Sequence, residues 1–104
     1  GTLKRAKESE EKKEIKSDHQ KRKELNRKLE KIDKDIVGFE KLIAEFESEK
    51  ETVSDKLANP GNLGSEELAE LSKLFSTLES KLEEANDQWL LLMEEKEMLE
   101  KELG

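Results

Sequence analysis

The sequence predicts an all-α fold, a two-helix antiparallel coiled-coil hairpin with a short Pro/Gly loop. Three observations point there. Apolar residues recur at alternating spacings of four and three along two separate stretches. A short cluster holding the single proline lies between those stretches. Charged residues make up 45% of the 104-residue chain and hydrophobic residues only 32%, against roughly 45–50% apolar in an average globular domain. A chain this polar lines a narrow seam and does not wrap a broad core.

Residues 1–24 come first, and among them only Leu3, Ala6 and Ile15 are apolar. With nothing to bury, this charged N-terminal linker is expected to be a frayed helix or disordered. The hairpin domain is expected over 25–104. Its first helix, about 25–57, carries the seam Leu25, Leu29, Ile32, Ile36, Phe39, Ile43, Phe46, Lys50, Val53 and Leu57, in which only Lys50 is polar.

The loop, 58–64, reads Ala-Asn-Pro-Gly-Asn-Leu-Gly. Pro60 disfavours helix at Asn59, and both Gly61 and Gly64 are expected to supply left-handed geometry. Ser65 is the expected N-cap of the second helix, with Glu66 and Glu67 in the first turn, where the helix dipole favours anions. The second helix, about 65–103, carries Leu68, Leu71, Phe75, Leu78, Leu82, Ala85, Trp89, Leu92, Lys96, Leu99 and Leu103, interrupted only by Lys96.

Folding about so short a loop turns the helices antiparallel and pairs residues whose numbers sum to about 125, so Ile36 meets Trp89 and Leu25 falls near Leu99. The two seams match at roughly 50 Å each, as an intramolecular hairpin requires, and a monomer is expected. Lys50 and Lys96 fall level with Phe75 and Leu29. Neither ammonium is expected to stay buried without a partner; Glu47 or Glu51 is the expected partner of Lys50, and Glu100 that of Lys96.

Several function classes are excluded. With no cysteine there is no disulfide, thiolate zinc site or cysteine nucleophile, and the single histidine, His19, cannot build a multi-histidine metal site. No metal site and no cofactor are expected. Gly61-Asn62-Leu63-Gly64 lacks the Lys-Ser/Thr of a phosphate-binding loop. No pair of carboxylates sits in an apolar stretch that would separate their pKa values. The chain reads as non-enzymatic. Its longest apolar run, Trp89 to Met93, falls far short of a membrane span of about 20 residues, so no membrane partner is expected.

Charge is uneven. The net charge is −7, yet residues 1–24 carry nine Lys/Arg and six Asp/Glu, and 25–104 carry eleven and twenty-one. With Leu29 at heptad position a, residues Lys23, Arg27, Lys31, Lys34 and Lys41 fall at outward b, c and f positions and form one line along the first helix. Lys21, Arg22 and Lys28 add to the same basic window. The line reads either as a solvated face or as a phosphate-tracking surface. Trp89 is expected in the seam against Ile36, not exposed as a stacking platform. Leu90, Leu91 and Met98 lie off the seam, more than a two-helix hairpin can cover, and mark a candidate docking patch.

The stretch from about Leu25 to Glu95 resembles the C-terminal coiled-coil domain of ABC-F ATPases of the Uup type. The first helix ends Leu57-Ala58-Asn59-Pro60, and the second carries Leu71, Leu78, Glu79 and Leu82. Trp89 then follows the pair Glu84-Ala85 and precedes a Leu/Glu-rich tail. Leu63 and Asn86 stand where the family commonly has aromatics. The resemblance implies an accessory domain of a cytoplasmic protein whose two ATP-binding cassettes lie upstream and hold the ATP and magnesium. It also implies contact with DNA or ribosomal RNA. The alternative is a coiled-coil scaffold or spacer that joins proteins only.

Overall fold

The computed structural model describes the backbone of residues 2–104 and the side chains of residues 17–104. It contains two helices, α1 (Thr2–Ala58, 57 residues) and α2 (Ser65–Leu103, 39 residues); α2 runs back along the part of α1 nearest the loop, and the whole measures 93 × 16 × 14 Å. There is no strand among the described residues. Backbone helix in α1 is continuous through Leu25, where the seam begins. The side chains of residues 1–16, on which the expectation of a frayed or disordered linker bears, lie outside the described residues.

The core is the seam and little else. Among residues 17–104, every residue that is not exposed is one of the 21 seam positions, with Leu63 of the loop the single addition. Ile32, Ile36, Val53, Leu78, Leu82, Ala85 and Leu99 are buried. Ile32, Ile36 and Leu99 form one cluster, with Leu25, Leu29, Trp89 and Leu92 packed against it. The helices run antiparallel, as the matched seams require. The cross-helix contacts Lys50–Phe75, Lys81–Phe46 and Lys96–Asp33 carry residue numbers that sum to 125, 127 and 129, so the register is the expected one near the loop and drifts by about one helical turn toward the open end.

The loop departs from expectation in two details. Asn59 lies just outside α1, as Pro60 favours, with its N–H donating to the Asp55 carbonyl at 3.0 Å; Leu63 N–H donates to the Pro60 carbonyl at 3.0 Å, closing a turn over Pro60-Gly61-Asn62-Leu63. Gly61 takes φ 55, the positive φ that a primed turn demands at its first central position. Gly64 does not: its φ of −76 and ψ of 167 are extended. Leu68 N–H donates to the Gly64 carbonyl at 3.0 Å, so helical bonding starts at Gly64. Gly64 is therefore the N-cap, and Ser65 lies one residue inside the helix with no side-chain cap bond. Glu66 and Glu67 do occupy the first turn.

Both seam lysines find partners that the sequence reading did not name first. Lys50 Nζ sits 5.1 Å from the Phe75 ring centroid, a cation–π contact in place of a carboxylate. Lys96 Nζ lies 2.8 Å from Asp33 Oδ1 across the seam and 4.0 Å from Glu100 Oε1 on its own helix. The hydrogen bond to Asp33 and the charge of Asp33 raise the Lys96 pKa above its ordinary value, against a smaller lowering by desolvation, with Glu100 and Glu40 adding to the rise.

Candidate nucleic-acid interface

Lys23, Arg27, Lys31, Lys34 and Lys41 are all exposed on the back of α1, turned away from α2. Their b, c and f positions place them there: the a and d residues between them, Leu25, Leu29, Ile32 and Ile36, are pinned in the seam. Among the described residues, none of the five is in an ion pair. At Gly38, one turn from both Lys34 and Lys41, an added Cβ would meet nothing within 4 Å. The stripe is therefore a line of cations without ion-pair contacts among the described residues, with an open strip of backbone inside it.

The remaining three basic residues divide. Lys28 is exposed at a g position beside the seam. Lys21 and Arg22 line an open groove of about 700 Å³ at the open end of the hairpin, where α2 ends, together with Asp18, His19, Leu25, Glu102 and Leu103. Their charge faces the acidic C-terminal turn of α2 and not the back of α1.

The candidate docking residues also divide. Leu90, Leu91 and Met98 are 52%, 57% and 66% exposed. Successive residues on a helix diverge by about 100°, so Leu90 (b) and Leu91 (c) lean to opposite sides of the hairpin, and Met98 follows Leu91. Asp87, Glu94 and Lys101 occupy the f positions between them. Trp89 is a seam residue, half-buried against the Ile32–Ile36–Leu99 cluster, and its Nε1 is buried with no hydrogen-bond partner. It offers no stacking face. Among the described residues no group of three or more His, Asp and Glu side chains is placed to hold a metal ion. Nor is any helix among them long and apolar enough to cross a membrane.

Residues 34–95 match the model of a family described as ABC transporter C-terminal domain. The match takes in both arms of the hairpin, the loop and Trp89, and it includes Lys34 and Lys41 of the stripe but not Lys23, Arg27 and Lys31. No curated protein and no solved structure matches the chain.

Proposed function

We propose that this chain, which belongs to the ABC transporter C-terminal domain family and is thereby an accessory domain of an ABC protein, is non-catalytic and contacts nucleic acid through the back of α1. The observation that carries the reading is the line Lys23, Arg27, Lys31, Lys34 and Lys41, exposed and without ion-pair partners among the described residues, on a chain of net charge −7. A solubilising face on so acidic a protein has no need of segregated positive charge. The parent is a cytoplasmic ABC-F type ATPase; its cassettes bind ATP and magnesium and are the intramolecular partners of the rod, which works as a monomer.

Point charges on a straight helix read phosphates, not bases. No aromatic residue interleaves the stripe, so base stacking adds little. Affinity is accordingly weak, shape-biased and strongly salt-dependent. With roughly three to five phosphates engaged, the log–log salt slope on duplex DNA is about −3 to −4.

A mobility-shift series with branched DNA, duplex DNA and RNA at two salt concentrations tests this. Changing Lys23, Arg27, Lys31 and Lys34 together to Glu abolishes binding while helix content holds, because all four face outward; E66Q/E67Q at the tip matters little. A fourfold variant that binds as well as the parent sequence overturns the reading in favour of a protein-only scaffold or spacer.

A further inference from the structure

The two flanks of the rod differ in a way that the basic stripe does not explain. On one flank lie the g and c positions of both helices. Here charge is mixed: Lys28, Lys31, Asp35, Glu45, Glu49 and Lys56 on α1, and Glu67, Lys81, Glu84 and Glu95 on α2. The other flank is formed by the e and b positions. The contacts define it: Lys96 at a reaches Asp33 at e, and an open groove of about 480 Å³ runs between Glu47, Lys50, Glu51 and Ser54 on α1 and Phe75, Leu82 and Asn86 on α2.

Between residues 30 and 54 of α1 and between 79 and 100 of α2, the e and b positions hold nine carboxylates and no Lys or Arg. They are Glu30, Asp33, Glu40, Glu47 and Glu51, facing Glu79, Glu83, Glu97 and Glu100. The cations that reach this flank come from the seam: Lys96 is already engaged by Asp33 and Glu100, and Lys50 lies over the Phe75 ring at the end of the flank nearer the loop. The fields of Asp33, Glu100 and Glu40 all act on Lys96 in the same direction.

Apolar side chains interrupt this acidic flank at its middle. Val37 is 65% exposed, Leu90 52% and Met93 38%. Met93 lies at e on α2, and Val37 and Leu90 lie at b on α1 and α2, at the same level of the rod. Isolated exposed apolars on a surface need no account. Three of them inside a ring of like charge are different, because burying them requires a partner that also neutralises the ring.

We propose that the e/b flank docks a cationic amphipathic helix of a partner protein. The apolar trio supplies the contact, and the carboxylates along both rails, spaced by threes and fours, meet Lys or Arg on the two sides of the incoming helix's apolar stripe. The heptad spacing selects a helix over an extended segment, whose side chains repeat every second residue. The inference stands apart from the nucleic-acid reading: it uses the opposite charge on a different surface, and either can fail alone.

A synthetic three-heptad peptide with Leu at a and d and Lys at the flanking positions serves as the probe, with a scrambled peptide of the same composition as control. Trp89, the single tryptophan of the chain and the neighbour of Leu90, reports by fluorescence, with calorimetry alongside. The heptad peptide is expected to bind at least tenfold more tightly than the scrambled one. V37S/L90S/M93S should lose at least tenfold with helix content unchanged, while L91S/M98S on the mixed flank and the fourfold stripe variant K23E/R27E/K31E/K34E should bind as before. Equal affinity for the scrambled peptide, full retention by the triple variant, or a concentration-dependent dimer of the chain itself that V37S/L90S/M93S dissolves would each overturn the proposal.

Discussion

The half of the rod next to the loop and the half at its open end are held together differently. Near the loop, Val53, Leu78 and Leu82 are buried, but the seam also carries half-buried Phe46 and Phe75 and lets lysines lie over both rings. At the open end, Ile32, Ile36 and Leu99 form a contiguous buried cluster with Leu25, Leu29, Trp89 and Leu92, and Lys96 is tied across to Asp33. The loop keeps the helices close in the first half even when side chains separate transiently. In the second half only side chains do, and a helix end without packing frays. The cross-helix ion pair and the contiguous cluster both lie where the backbone helps least.

Substitutions can break or sharpen this contrast. Leu78→Ala, at the most buried side chain (2% exposed), should cost about 3 kcal/mol in a thermal or urea melt. Ile36→Ala should cost about 2 kcal/mol, and native-state hydrogen exchange should show the loss concentrated in 25–39 and 89–103. Equal loss of protection along the whole rod would mean the halves act as one unit. Lys50→Leu should raise stability by about 1 kcal/mol, as seam burial outweighs the lost cation–π contact; a clear loss would show that the lysine holds more than Phe75. Gly38→Ala, on an open helix face, should add about 0.8 kcal/mol.

The smallest effect concerns pH. The Lys96 pKa is raised above 10.5 in the folded rod by Asp33. A group bound more tightly to its proton when folded stabilises below its unfolded pKa. That contribution is therefore present at neutral pH and is lost as pH rises from about 10.5 through the raised value. Melts between pH 9 and 12 should show a downward slope that Asp33→Asn reduces; an unchanged slope in that variant would remove Asp33 as the cause.

The hairpin was legible in the sequence because a two-helix rod has one buried stripe and its period fixes which residues enter it. The match between the 21 seam positions and the non-exposed residues follows from that. What escaped were choices among near-equal neighbours. Spacing along one helix names Glu100 as the Lys96 partner, whereas Asp33 depends on which flank of the opposite helix the lysine leans toward. Ser65 and Gly64 are both good caps, and the turn closed by Leu63 and Pro60 decides between them. Of the candidate sites, the outward line of lysines followed from the heptad. Grouping Leu90 with Leu91 and Met98 ignored that consecutive off-seam residues point to different flanks, and Val37 became its flank-mate only once the second helix was placed.

The paired part of the hairpin, as long as the 39 residues of α2 or about 58 Å at 1.5 Å per residue, behaves mechanically as a lever. Its cross-section is a single layer of paired side chains, with no second layer in which strain could be taken up. Whatever grips the open end therefore moves the Pro60–Leu63 turn by rigid swing, and a small change of angle at the mounting becomes a large arc at the far end. What such a member transmits is direction, and its compliance resides in the mounting, not along its length.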